Sequence, residues 1–240
     1  MEKKIDRRQI LGNAALVASG ISLAQVSAGP ARGQTATGAA AKLVPYEIKP
    51  LPFDPKTIPG LSEKILVSHH DNNYAGAVRR ANTIREQLAG LDFAKAPGFT
   101  VNGLKREELI ATNSMILHEL YFDGLGGGAP SGPLLEAITR DFGSLARWRA
   151  EFSGMGKAQG GGSGWVLLTY SPRDKRLLNQ WAADHTTTLA GGRPILALDM
   201  YEHSYHMDYG SGAGGYVDAF MAAIRWENAM SLFRRFSSET

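Results

Sequence analysis

An α+β fold follows from three features of the sequence. Two long apolar-periodic segments come first, Gly-rich breaks follow, and three short strand-like runs then lead into closing amphipathic helices. The expected architecture is an N-terminal antiparallel helical hairpin followed by an α+β half with a small antiparallel sheet of about three strands. Residues 1–28 read as a signal peptide, 29–49 as a linker, 50–128 as the helical-hairpin domain and 129–240 as the α+β domain.

The leader joins a basic start (Lys3, Lys4, Arg7, Arg8) to an apolar run from Ile10 to Val26 and small residues up to Ala28. That is the layout of a secretory signal peptide. Arg7-Arg8, just ahead of the apolar run, is similar to a twin-arginine export signal, which a receptor reads and which is not an anchor. Gly12, Asn13, Ser19, Gly20, Ser22 and Gln25 leave the run too weakly apolar for a membrane span. Val26-Ser27-Ala28 offers a cleavage site after Ala28. The expectation is an exported, periplasmic or extracellular chain with no stable membrane insertion after cleavage. Residues 29–44 lack patterning and suit a flexible linker. Pro45, Pro50, Pro52, Pro55 and Pro59 then impose an extended lead-in.

Ser62 precedes Glu63-Lys64-Ile65 as a helix cap, and the 3.6-residue period through Leu66, His69, Asn73, Ala77, Ala81, Ile84 and Leu88 predicts one long helix to Ala89. After a loop at Pro97-Gly98, a second helix is expected from Lys105 to Leu125, stopped by Gly126-Gly127-Gly128. Residues 131–153 predict helix in two pieces, and Gly160-Gly161-Gly162-Ser163-Gly164 breaks the pattern. Trp165–Tyr170 and Arg176–Trp181 predict a hairpin around Ser171-Pro172-Arg173-Asp174. Pro194–Asp199 is apolar throughout until its last residue, which predicts a central strand. Tyr216–Phe236 predicts a closing amphipathic helix.

Charge and composition exclude several function classes. Of 26 basic and 23 acidic residues, four and two lie in 1–28, leaving 22 against 21. With no basic stripe, a nucleic-acid partner is not expected. The absence of cysteine excludes disulfides, thiolate metal sites and a cysteine nucleophile.

The chemistry points to histidine. Asp199 ends an apolar strand and His203 follows four residues later, a spacing at which one carboxylate oxygen and one imidazole can share an ion. Alone, such a pair is more often a salt bridge or a cap. His69 falls on the inner phase of the first helix and His118 lies mid-helix in the second, so the pair has company. Together the four make an N3O donor set suited to iron or manganese. His70 lies about 100° off the face of His69, which predicts a surface or interface position.

These motifs, in order, resemble the iron/manganese superoxide dismutase family over residues 50–236. Asp199-Met200-Tyr201-Glu202-His203 stands for the family's D-x-W-E-H, and Gly162-Ser163-Gly164-Trp165 for its G-S-G-W. Gly128-Ala129-Pro130-Ser131-Gly132 and Asp141-Phe142-Gly143-Ser144 match the connection into the second half, and His69 and His118 stand at the two helical histidines. The resemblance implies His69, His118, Asp199 and His203 as ligands to one Fe or Mn ion per subunit. It implies superoxide as substrate, with dioxygen and hydrogen peroxide as products. It also implies a homodimer or homotetramer, with Glu202 at the interface, reaching the partner's copy of the last ligand.

The sequence departs from the family around the ligands. Ala77 replaces a tyrosine at the mouth of the substrate funnel, and Asn73 and Tyr74 replace a histidine pair. His206 replaces a tyrosine that pairs across the interface, and Tyr201 replaces a tryptophan. The family's glutamine, which bonds the solvent at the metal, has at one position Ser114, too short to reach. At the alternative position His185 is the nearest candidate. His185 and Tyr74 are therefore the candidate catalytic residues. Tyr121, Phe122, Trp165 and Tyr201 are expected to wall the site. The alternative function is a metal-binding homologue with weak or altered redox activity.

Overall fold

The structure, a computed structural model, describes residues 43–239. The predicted leader, its twin-arginine motif and the linker up to residue 42 lie outside the described residues. Helix α1 (Glu63–Ser68) starts at Ser62, whose hydroxyl accepts from the Ile65 N–H at 3.1 Å. It continues through a π-helical turn, His69–Tyr74, into α2 (Ala75–Ala89). The uninterrupted helix expected from the period is thus interrupted by wider turns that reset its phase. Such segments are frequent at functional sites.

Helix α3 (Gly98–Asp123) packs antiparallel against α2 through Ala81, Ile84, Leu88 and Ala111. It begins at Gly98 rather than Lys105. Pro97 can cap it because only its carbonyl is needed there, accepting from the N–H groups of Thr100 and Val101 at 2.9 and 3.2 Å. Helices α4 (Gly132–Phe142) and α5 (Leu145–Ala158) are the two expected pieces. They are parted at Gly143, whose φ of 87° suits glycine.

Strands β1 (Trp165–Ser171), β2 (Arg176–Ala182) and β3 (Arg193–Asp199) form an antiparallel sheet in the order β2-β1-β3. The central strand is therefore β1, and β3, expected at the centre from its apolar run, lies at an edge. Its apolar side chains are buried by α3 and by the last helix, which pack on it. Gly164 sits just before β1 with φ 127°, where a Cβ would lie 2.2 Å from the Ala182 carbonyl oxygen. After α6 (His206–Tyr209), a single turn, the closing helix is also two, α7 (Ala213–Ala223) and α8 (Trp226–Ser238), separated at Ile224. There Ile224 bridges to Leu125 and the Arg225 N–H donates to the Gly124 carbonyl at 2.7 Å. One core, including Trp148, Trp165, Trp226, Tyr121 and Phe220, serves hairpin and sheet alike. No helix among the described residues is long and apolar enough to cross a membrane.

Residues 43–49, assigned to the linker, run extended along the hairpin. The Asn82 amide bonds both the N–H and the carbonyl of Tyr46, at 2.8 and 2.9 Å. Arg85 reaches the Val44 carbonyl and stacks on the Tyr46 ring.

Asp141 ties α4 to β2, accepting from Arg140 at 2.7 and 2.8 Å and from the Leu177 N–H at 2.7 Å. Burial alone would raise its pKa, but these bonds outweigh burial and hold it below the usual carboxylate range. A depressed carboxyl adds stability that is present above the unfolded pKa and lost as pH falls through the folded one. Asp141→Asn is expected to lose about 1.5–3 kcal/mol at neutral pH, read by urea unfolding. The gap from the parent should narrow as pH falls below the ordinary carboxylate range and through the depressed folded pKa.

Candidate metal centre

His69 opens the π-helical turn, His118 lies on α3, Asp199 ends β3, and His203 sits in a 3-10 turn, Glu202–Ser204. Their potential ligand atoms all lie within 4.8 Å of one another. The Asp199 Oδ2 atom is the focus. His69 Nε2 stands 3.1 Å from it, His203 Nε2 3.3 Å and His118 Nε2 3.6 Å. His69, His118 and Asp199 are buried and His203 is half-buried.

The carboxylate is fixed from behind. Its Oδ1 accepts from the Tyr201 N–H at 2.8 Å. The Asp199 carbonyl accepts from the hydroxyls of Tyr216 at 2.8 Å and Ser204 at 2.9 Å. The ligand tautomer at His118 is set by helix geometry. Its Nδ1–H donates to the Ser114 carbonyl at 2.6 Å, which leaves the Nε2 lone pair bare. That Nε2 is buried without a hydrogen-bond partner.

Electrostatics argue the same way. Burial pushes the His118 imidazole down to about 3 and also lowers His69. Burial alone would raise Asp199, but the neighbouring His203 and His69 outweigh it and hold the carboxyl far below its ordinary value. Neutral imidazole lone pairs crowded around a buried carboxylate are unstable without a cation to share. The orphaned His118 Nε2 and the N3O donors fit one metal ion, which His69, His118, Asp199 and His203 could hold. Aromatic rings surround them: Tyr121 and Phe122 stand 5.0 and 5.1 Å from His69, Trp165 5.3 Å from His118, and Tyr201 5.4 Å from His203.

Of the two candidate catalytic residues, the structure brings only His185 to this group. Its ring lies 6.0 Å from that of His118, it stacks on Tyr201 at 4.8 Å, and burial lowers its pKa. His185 lines a cleft of about 250 Å³ together with Asn73, Gly76, Ala77 and Ser114. Tyr74, the other candidate, points elsewhere. The wider π-helical turn buries it against Phe122, where its hydroxyl donates to Glu119 and accepts from the Lys49 N–H, each at 3.0 Å. Burial pushes that phenol up to about 12. His70, expected at a surface or interface, is covered by the N-terminal strap and bonds the Lys49 carbonyl at 2.8 Å. Glu202 and His206 are exposed.

Sequence reasoning missed Tyr216, Ser204 and Asn113. The Asn113 side chain donates to the His185 carbonyl at 2.6 Å, across 72 residues of chain. No spacing marks such a contact. Ser204, one residue after a ligand, is the single case that a local hydroxyl search could have found.

Residues 130–232 match the family described as iron/manganese superoxide dismutases, C-terminal domain. The chain is 68% identical over 189 residues to an iron superoxide dismutase of Cupriavidus metallidurans, covering 78% of this chain and 96% of the relative. The chain belongs to the iron/manganese superoxide dismutase family. Manganese members are similar too. A manganese superoxide dismutase of Halobacterium salinarum is 38% identical over 203 residues, covering 79% of this chain and 96% of the relative. An iron superoxide dismutase of Pyrobaculum aerophilum is 30% identical over 190 residues, covering 76% and 89%. Membership in a superoxide dismutase family with both iron and manganese representatives agrees with a donor set that suits either ion.

Removing a ligand should empty this dismutase-family centre. His203→Ala, at the half-buried edge, is expected to reduce bound iron or manganese at least about ten-fold after reconstitution, since loss of outer contacts alone has effects of that size. Elemental analysis checks it, with circular dichroism to confirm that helix content is kept.

Proposed function

We propose that this protein dismutates superoxide with one iron or manganese ion held by His69, His118, Asp199 and His203. The observation that carries the reading is the convergence of three Nε2 atoms on one buried Asp199 oxygen, in a chain 68% identical to an iron superoxide dismutase. A bound ion would supply one-electron exchange, through which one superoxide would be oxidised to dioxygen and the next, with two protons taken up from solvent, reduced to hydrogen peroxide.

The protein's own residues do the rest. Three neutral imidazoles and one carboxylate leave the loaded centre positively charged, which attracts an anion, an effect for which superoxide dismutases are a known case. The aromatic wall keeps bulk water from the ligands, so charge acts there in a low dielectric. The cleft beside Ala77 and Ser114 is the substrate's approach, and His185, which lines it, is the hydrogen-bond partner for oxygen species beside the ligands.

Export belongs to the same reading. The paired arginines, the weakly apolar run and Val26-Ser27-Ala28 support twin-arginine export and cleavage after Ala28, to the periplasm or beyond. The exposed Glu202, adjoining a ligand, supports a homodimer or homotetramer in which Glu202 meets the partner subunit.

The metal-loaded protein is expected to approach the diffusional ceiling of about 10⁸–10⁹ M⁻¹s⁻¹, which superoxide dismutases are known to reach. Stopped-flow decay of superoxide measures it. Full metal content with no acceleration over free metal would refute the activity. Arg7→Lys with Arg8→Lys should leave the protein in the cytoplasm, as read by cell fractionation.

A further inference from the structure

Three different atoms of Lys49 hold the two helices that carry His69 and His118. Its N–H donates to the Tyr74 hydroxyl at 3.0 Å. Its carbonyl accepts from His70 Nε2 at 2.8 Å. Its ammonium pairs with one oxygen of the Glu119 carboxylate at 2.5 Å, and the Tyr74 hydroxyl donates to the other oxygen at 3.0 Å. His70 directly follows His69, and Glu119 directly follows His118. One residue of the N-terminal strap therefore bonds the chain neighbours of two metal-group histidines on two helices.

The strap is placed for this. Upstream, the Asn82 amide grips both main-chain groups of Tyr46. Downstream, Pro50 restricts Lys49 to extended backbone. In that conformation the N–H and the carbonyl of one residue face the same side, as in antiparallel pairs that exchange both bonds. Here that side is the π-helical turn, His69–Tyr74. Such turns are rare, and this one is held from outside at its second residue, His70, and at its last, Tyr74. Tyr74 is 1% exposed, whereas the Lys49 side chain is 65% exposed. Water and salt weaken the ion pair, so the main-chain bonds to the buried phenol and to His70 carry the attachment. The Phe122 ring lies against both Tyr74, at 6.3 Å, and His69, at 5.1 Å. A displacement of Tyr74 is thus passed to the ligand ring through close packing.

We propose that Lys49 is a positioning residue for the metal group, its main chain clamping the π-helical turn from outside and so keeping the His69 imidazole aimed at Asp199 Oδ2. The role rests on the proposed dismutase reading only for the ion that His69 holds. The clamp itself is a property of this chain, and Tyr74 passes it on to α3 through Glu119.

The test uses the full chain loaded with ferric iron. Lys49→Pro removes the N–H, and Tyr74→Phe removes the hydroxyl that it meets. Lys49→Met keeps both main-chain groups and loses only the ammonium. Two quantities are read: the rate of iron release to a chelator, and the ferric electron paramagnetic resonance line shape, which reports ligand geometry rather than global stability. Lys49→Pro and Tyr74→Phe should each release iron about ten-fold faster and alter the line shape, the size of effect that contacts behind a ligand have. Lys49→Met should stay within about two-fold of the parent and keep its line shape, as suits an exposed ion pair. Asn82→Ala, which frees the strap at Tyr46, should also speed release and keeps the test open if Lys49→Pro does not fold. Unchanged release and line shape in folded Lys49→Pro and Tyr74→Phe would overturn the clamp. So would a Lys49→Met that matches Lys49→Pro, since the exposed charge would then be the holder. An iron-loaded parent without superoxide turnover would refute the proposed activity and leave this inference standing.

Discussion

One buried carboxylate oxygen organises this molecule. Asp199 Oδ2 has three imidazole nitrogens at 3.1 to 3.6 Å and lies in a fully buried site. A charge so placed is tolerated only if its other lone pairs are satisfied and a cation or protons complete the cluster. The rest of the fold supplies those conditions. The strand β3 carries the aspartate in, the Tyr201 N–H bonds its second carboxylate oxygen, the Tyr216 and Ser204 hydroxyls anchor its main-chain carbonyl, and two hairpin helices bring facing nitrogens. The hairpin and the sheet share one core because the aspartate of one must reach the histidines of the other.

Tautomer control recurs around this oxygen. At His118 it comes from within a helix, where the Ser114 carbonyl takes the Nδ1 proton and leaves Nε2 to face the centre. At His185 it comes from across the sheet, where the Trp165 indole occupies Nδ1 and leaves Nε2 to donate. A ligand nitrogen must offer a lone pair, whereas an outer contact must offer a proton. The same ring serves both purposes because its two nitrogens are distinguished by what the other one meets. In a second set of contacts, the strap formed by residues 43–49 bonds Tyr74 and His70, the residues that follow His69 on the π-helical turn. The N-terminal lead-in therefore bears on the ligand helix although it touches no ligand.

Departures from the family pattern fall on the cleft side. Ala77, Ser114 and His185 line a space of about 250 Å³, the positions at which the resemblance implied larger groups. Tyr74 does not compensate, since its hydroxyl belongs to Glu119 and the strap.

The sequence by itself determined the helical hairpin, the three strands, the cap at Ser62 and the local Asp199–His203 spacing. Each of these is written in local terms: period, turn chemistry, and histidine and aspartate in ordered motifs. Tertiary structure decided the strand order, since apolar character in β3 reports burial by helices as readily as burial between strands. It decided the π-helical turn, which swings Tyr74 away from the cleft, and the break at Ile224, where a bridge to Leu125 stops a helix that the period would continue. It also decided which histidines act together. Asn113 and His185 are 72 residues apart, and His69 and Asp199 are 130 apart. Nothing in the chain encodes those meetings as a pattern, because side-chain periodicity carries information over one turn or one pleat, whereas hydrogen bonds between elements depend on how whole elements pack.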